Sequence, residues 1–223
     1  EKEYGMVAVS AGEGLERIFK DLAVDVVVSG GQTMNPSALD LERAVKRVNA
    51  RQVFILPNNK NIIMAAQQAA ELVEKSSEVK AYVVPTTSVT QGLAAAMAFG
   101  DGEDAPAKQA SMKEAMDNTK SGALTYAVRN TSMNGHDIAQ GDYMGMIEGE
   151  IVANGCDMDE VLDNLIARMM EDDGDYVTVV YGEDVDEADA TALTQRIEEK
   201  YPDADVVLQS GGQPLYYYFF SVE

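Results

Sequence analysis

The sequence predicts an α/β protein of two subdomains. The first is a mainly parallel sheet with helices on both faces, and the second is a mixed sheet that includes a hairpin. Three observations carry this expectation. Through the first half, short continuous apolar runs alternate with helical segments, the pattern of strands buried on both faces of a parallel sheet. After Gly122 the texture changes to paired strand runs joined by tight turns, the signal of antiparallel hairpins. Charge divides along the same line. Residues 1–118 hold 16 acidic and 12 basic residues, a net −4, whereas residues 119–223 hold 22 acidic and 5 basic residues, a net −17. An asymmetry of this size between halves points to two subdomains, 1–118 and 119–223, with different surfaces.

The elements follow in order. "MVAVS" (6–10) reads as a buried strand and "GEGLERIFKDL" (12–22) as a helix. "DVVVSG" (25–30) is the next strand, and "SALDLERAVKRVN" (37–49) is a helix with Ser37 as N-cap. "QVFILP" (52–57) is a strand, and the helix over 59–75 takes Asn59 as its candidate cap. "KAYVVP" (80–85) and "SVTQGLAAAMAFG" (88–100) are a further strand and helix, and "GDGEDAPAK" (100–108) is the most linker-like stretch. A helix then runs to about Asn118. "ALTYAVRNT" (123–131) reads as a strand and "SMNGHD" (132–137) as a turn. "DYMGMIEGEIVAN" (142–154) is a strand pair around "EGE". In 157–173, Met158, Val161, Leu162, Leu165, Ile166, Met169 and Met170 follow helical i, i+3, i+4, i+7 spacing. A strand (175–182), a helix (186–201) and two strands (204–210 and 214–222) close the chain. In the last strand "YYYFF" (216–220) should alternate, half its rings in the core and half on the surface.

Composition narrows the function. The 223 residues are 46% hydrophobic, a folded rather than disordered composition. No apolar run approaches the roughly 18 residues that span a bilayer, and no signal segment is evident, so membrane insertion is not expected. The chain lacks an initiator Met and starts almost directly in a strand, which reads as a piece of a longer protein. The single Cys156 excludes an internal disulfide and fits a reducing, cytoplasmic setting. A net charge of −21 argues against nucleic acid, whose phosphates need a basic footprint. "AGEGLE" (11–16) lacks the full dinucleotide fingerprint and there is no P-loop, so no nucleotide cofactor is expected. His136, expected in a hairpin turn, and Cys156 have no partners at metal-ligand spacing, and no catalytic set converges.

Two features remain. "SGGQ" occurs twice, at 29–32 and 210–213, each at a strand end preceded by a helix. The two copies read either as a degenerate repeat of one α/β unit or as coincident tight turns. Gly-Gly-Gln is also the catalytic loop of peptide-release factors, but such a loop must enter an RNA-lined centre and this acidic chain has no basic flank. The first copy falls where ligands bind in parallel sheets, the crevice at the carboxyl ends of the strands. The polar loops at that edge would be 10–14, 29–37, 56–61 and 84–92. Their candidate crevice residues are Ser29, Gly30, Gly31, Gln32, Thr33, Asn58 and Asn59, set against the bland reading of ordinary turns and caps. The second feature is the acid excess. Helix dipoles account for some first-turn acids, but not for a net −17. A docking surface for a basic partner accounts for it better. Its candidates are Asp159, Glu160, Asp163, Asp172, Asp173, Glu183, Asp184 and Glu187.

"YGMVAVSAGEGLERIFKDL", "GGQTMNPS", "FILPNNKNI", "LTYAVRNT" and "GGQPLYYYFFSVE" together resemble the C-terminal region of the bacterial fatty acid kinase large subunit, over Tyr4 to Glu223. In that family the full protein has a dihydroxyacetone-kinase-like ATP domain and a central domain that supplies active-site Cys and His residues. It phosphorylates a fatty acid carried by a separate fatty-acid-binding protein, for phospholipid synthesis. The resemblance implies a DegV-like fold and a non-catalytic role without cofactor or metal. It also implies that the acidic surface docks the basic surface of the fatty-acid-binding protein beside the other kinase domains. DegV-like proteins hold the acyl carboxylate with a Thr-Ser loop after the second strand. Here Ser29-Gly30-Gly31-Gln32-Thr33 replaces that pair, which puts carboxylate binding in doubt. A lipid-binding module in its own right is the alternative.

Overall fold

In the computed structural model, which describes residues 1–31 and 34–223, the chain divides into two units, Glu1–Asn118 and Thr119–Glu223. The first unit runs β1 (Lys2–Ser10), α1 (Glu13–Asp21), β2 (Val26–Ser29), α2 (Ala38–Val48), β3 (Ala50–Leu56), α3 (Ile63–Ser76), β4 (Lys80–Val83), α4 (Val89–Met97) and α5 (Ala105–Asp117). All of its strand pairs are parallel, in the order β2-β1-β3-β4. Side chains alternate across a strand. Val7, Val9, Val53 and Ile55 therefore pack with Leu41, Val45, Ile62, Ala66 and Val73 of α2 and α3. Met6, Ala8, Phe54 and Leu56 fall on the opposite face and are fully buried. There Phe54 stacks on Tyr82 at 5.1 Å and meets Phe99 edge-on at 5.9 Å. Each such buried side chain contributes roughly 1.5–3 kcal/mol. Burial on both faces is why these strands read as unbroken apolar runs.

Caps set the helix starts. Ser37 accepts from Asp40 N–H at 3.1 Å while its own N–H donates to the Asp40 carboxylate at 2.9 Å, a full capping box. Those bonds hold the Asp40 carboxyl below its ordinary range. Ser88 caps α4 through Gln91 N–H. Two expectations are corrected here. Helix α3 starts four residues after Asn59, and Asn59 instead accepts from Asn61 N–H at 2.9 Å in a turn ahead of the helix. The stretch 100–108 is not a linker: a 3₁₀ turn (Phe99–Asp101) leads to Asp104, which caps α5 through Ala107 N–H at 2.9 Å.

The second unit runs β5 (Lys120–Tyr126), β6 (Thr131–Met133), β7 (His136–Ile138), β8 (Tyr143–Ile147), β9 (Glu150–Gly155), α6 (Met158–Met169), β10 (Tyr176–Tyr181), α7 (Glu187–Lys200), β11 (Asp205–Ser210) and β12 (Tyr218–Val222). Six strands form a mixed sheet in the order β11-β10-β12-β5-β8-β9, in which only β10 and β11 are parallel. Strands β6 and β7 form a small separate hairpin. Leu162, Leu165 and Met169 of α6 and Leu193 and Ile197 of α7 pack on Leu124, Val177, Val179, Tyr218 and Phe220 of the sheet. The β8–β9 turn falls at Glu148 and Gly149, both at positive φ (49° and 82°), as a two-residue hairpin turn requires.

Three further expectations change. The predicted strand 123–131 is broken, because Val128, Arg129 and Asn130 are exposed and the chain restarts as β6. His136 is the first residue of β7, half-buried, with Nδ1 3.1 Å from Asn154 Oδ1; the turn is Asn134–Gly135. The aromatic run does not alternate between core and surface. Tyr216 and Tyr217 precede β12, and Tyr218, Phe219 and Phe220 are all buried in a central strand.

Burial pushes the Tyr218 phenol up from its ordinary 10 to about 12, with the nearby Asp189 and Asp159 carboxylates adding to the rise. The folded state therefore favours the neutral phenol. Below pH 10 that preference costs nothing; between pH 10 and about 12 the unfolded chain ionises first and stability falls, by about 2 kcal/mol at most. Urea titrations at pH 9 and pH 11.5 should show this loss in the native chain and a smaller one in Tyr218→Phe.

Candidate functional site

Parallel strands end together, so the loops after β1, β2, β3 and β4 converge on one edge of the first unit. Asn58 organises that edge. It takes a left-handed conformation (φ 58°) and is only 6% exposed. Its N–H donates to Thr86 Oγ1 at 2.9 Å, its Nδ2 donates to Val9 O at 2.9 Å, and its Oδ1 accepts from the Thr86 hydroxyl at 2.8 Å. Three strand ends are thereby tied together through one side chain. Gly92, in the first turn of α4, lies directly against Asn58, and a Cβ there would overlap the amide. Asn58 is thus a buried brace rather than part of an exposed surface.

The other crevice candidates are distributed around this brace. Ser29 is exposed at the end of β2. Gly30 is buried and donates to Ser10 O at 3.2 Å, and Pro36 and the Met34 carbonyl lie where its Cβ would be. Gly31 and Met34 exchange backbone bonds at 3.1 and 3.4 Å. Gln32 and Thr33 lie outside the described residues. Asn59 is partly exposed. Ser10 falls within the predicted loops but carries no sequence signal of its own; it is 4% exposed, and its Oγ has no partner among the described residues. The helix starts at this edge carry exposed apolar side chains, Leu39 on α2 and Met64 on α3.

The second SGGQ has a clear structural part. Gly211 and Gly212 donate to Tyr181 O at 2.9 and 3.3 Å, and Gly212 takes φ 66°. Gln213 is 2% exposed and donates from Nε2 to Val180 O at 3.2 Å, while its carbonyl accepts from Glu183 N–H at 3.0 Å. This turn fixes the loop that carries Glu183 and Asp184.

All eight candidate docking acids are exposed. Arg196 of α7 reaches Asp159 at 3.2 Å and Asp163 at 2.7 Å on α6, and so fastens the two helices. Asp172 pairs with Lys120 at 2.6 Å, which holds its carboxyl below the ordinary range. Glu160, Asp173, Glu183, Asp184 and Glu187 form no ion pair among the described residues, so they are the carboxylates free for a partner. Arg196 and Lys120 carry only a faint sequence signal, as isolated bases amid acids. Cys156 is exposed and free, and no cluster of His, Cys, Asp or Glu among the described residues has the arrangement to hold a metal.

A parallel four-strand unit followed by a mixed six-strand unit is the architecture of DegV-like proteins. A Thermotoga maritima protein described as revealing fatty acid binding function superposes with a TM-score of 0.70 at 14% identity, over 100% of this chain and 99% of that one. The Streptococcus pneumoniae Fak B3 protein loaded with linoleic acid matches at 0.67 and 12% identity, over 99% of both chains. The dihydroxyacetone kinase of C. freundii matches at 0.69 and 12%, over 99% of this chain and 48% of its own. Within that class, this chain belongs to the FakA-like C-terminal family of fatty acid kinases, which it matches over residues 5–223. Protein YloV of Bacillus subtilis is 43% identical over 220 residues, and an uncharacterized Staphylococcus aureus protein is 40% identical over 221. The chain spans 39% and 40% of those relatives' lengths.

Replacing Asn58 by Ala removes the amide that joins Val9, Thr86 and the α4 turn and leaves buried partners unsatisfied. Asn58→Ala should therefore lose about 1–3 kcal/mol in urea denaturation, whereas Asn59→Ala should change stability by less than about 0.5 kcal/mol.

Proposed function

We propose that this chain is the non-catalytic docking domain of a cytoplasmic fatty acid kinase. It receives the fatty-acid-binding protein so that other domains of the kinase can phosphorylate the acyl carboxylate. The observation that carries the reading is the division of charge: 22 acids against 5 bases in residues 119–223, with five of the exposed carboxylates named above free of ion pairs. Family membership supports the link to the kinase, and the Fak B3 neighbour supports the kind of partner. A basic partner surface would meet Glu183, Asp184 and Glu187 around the start of α7 and Asp173 beyond α6. Such contacts act mainly on encounter rate and specificity.

A second reading has its own support. Neighbours of the same fold are described as loaded with fatty acid or as binding it, and the partnerless, buried Ser10 Oγ at the end of β1 is a group to which a carboxylate could hydrogen-bond. Mass spectrometry of an organic extract decides it: a stoichiometric fatty acid supports a lipid module, and a clean extract removes that reading.

The docking reading is tested by sedimentation of the chain with its fatty-acid-binding protein. Binding should be present at low salt and fade toward 1 M, as the screening length falls from about 10 to about 3 Å. Reversing Glu183 and Asp184 to Lys should weaken binding about tenfold or more while leaving the melting temperature near its native value. Unchanged affinity after reversal of all the free acids would sink the electrostatic account.

A further inference from the structure

The parallel sheet leaves one edge uncovered. Strand β2 pairs with β1 alone, and its sequence "VVVS" carries none of the lysines or prolines that commonly blunt such an edge. Beside it lies an open groove of about 450 Å³, floored by the half-buried Val27 and Val28 with Ser29, and walled by α2.

The wall is unusual for this protein. Arg43 and Arg47 both line the groove, are exposed, and form no ion pair among the described residues. Elsewhere the chain pairs its helix cations within a turn, as in Lys20 with Glu16, Lys46 with Glu42 and Lys113 with Asp117. In a chain of net charge −21, two unpaired guanidinium groups over a bare strand edge form a local field of the opposite sign. Their spacing also matters. Residues four apart on a helix rise about 6 Å along its axis, and residues two apart on a strand about 6.6 Å. A strand added to β2 would therefore present alternate side chains nearly in step with Arg43 and Arg47. Asp40 closes the other end of the wall, its carboxylate committed to the α2 capping box. It repels a further acid there and so favours one placement of the incoming charges. Met34, 78% exposed beside that end, offers an adaptable apolar contact.

We propose that the β2–α2 groove docks an extended acidic segment of a partner protein, which adds as a strand to β2 and sets two carboxylates, two residues apart, on Arg43 and Arg47. Backbone pairing at the edge supplies affinity and the arginine pair supplies selection for acid. The surface has the opposite sign to the acidic face of the second unit, so it stands or falls separately from docking of the fatty-acid-binding protein.

The test is fluorescence anisotropy of the full 223-residue chain with a short labelled peptide alternating valine and glutamate. Its comparators are the valine–lysine peptide and the valine–glutamate peptide N-methylated at alternate residues. The acidic peptide should bind at low salt, and the lysine peptide should not. N-methylation should weaken binding at least tenfold, because it removes strand pairing and keeps the charge. Arg43→Glu with Arg47→Glu should abolish binding, and Arg43→Gln with Arg47→Gln should weaken it at least tenfold, with melting curves of both variants close to native. No binding of the acidic peptide, equal binding to the variants, or equal binding of the methylated peptide would each overturn the proposal.

Discussion

The first unit depends on its central strands being covered on both faces. Once β1 and β3 are buried that way, their backbone polar groups must be met by neighbouring strands, and the helices must lie on either side of the sheet. The return connections then run through those helices, which keeps every strand parallel and brings every strand end to the same edge. The polar edge is thus a consequence of core burial. It is also where the chain must reconcile buried backbone with exposed loops, and Asn58 does so with a single side chain bonded to both Val9 and Thr86. The cost is a left-handed backbone at Asn58 and a glycine at position 92. Asn is among the residues that tolerate that conformation best.

The second unit solves a different problem. Both of its helices lie against one face of the mixed sheet, and the core there is dominated by α6, α7 and the aromatic residues of β12. The helices carry much of the acid excess, which would push them apart. Arg196 offsets part of that repulsion by bridging to Asp159 and Asp163 from the opposite helix. Exposed pairs of this kind add little to stability individually. Their effect here is on which carboxylates stay free. Acids near Arg196 and Lys120 are neutralised, and those at the start of α7 and beyond α6 are left facing solvent.

Most of this architecture was legible in the residues. Double-sided burial leaves unbroken apolar runs, the Ser37 box and the Glu148–Gly149 turn use side chains with a local mechanism, and the 3.6-residue period of α6 is plain. What was not legible depended on distant partners. Asn59 has the chemistry of a cap, but the chain makes a turn first, so the helix begins at Ile63 with no side-chain cap. Gly100 to Lys108 has the composition of a linker, yet Asp104 and Lys108 each find a bond, the latter with the Phe99 carbonyl at 2.8 Å. "YYYFF" fails the alternation rule because its first two residues lie outside the strand, and Tyr216 stacks on Phe219 at 5.0 Å, helping to cover the ring expected at the surface. The site was legible as a set of polar loops, not as a set of contacts. Nothing local distinguishes Asn58, a buried brace, from Asn59, its partly exposed neighbour.

The two SGGQ copies show how far a shared motif constrains its surroundings. The second sits between β11 and β12, where its glycines bend the chain back over Tyr181 and Gln213 is driven inward. Its side chain serves the backbone of β10 through Val180, and its carbonyl serves the loop of Glu183. The first follows β2, an edge strand, with Gly30 returning to β1 and Gly31 pairing with Met34. An edge strand and a turn between two strands of the larger sheet impose different partners on the same tripeptide. Glycine is required in both for chain direction, and the residues that follow are chosen by the sheet position. The recurrence therefore reflects the common need to end a strand sharply, and each copy takes its meaning from the strand it ends.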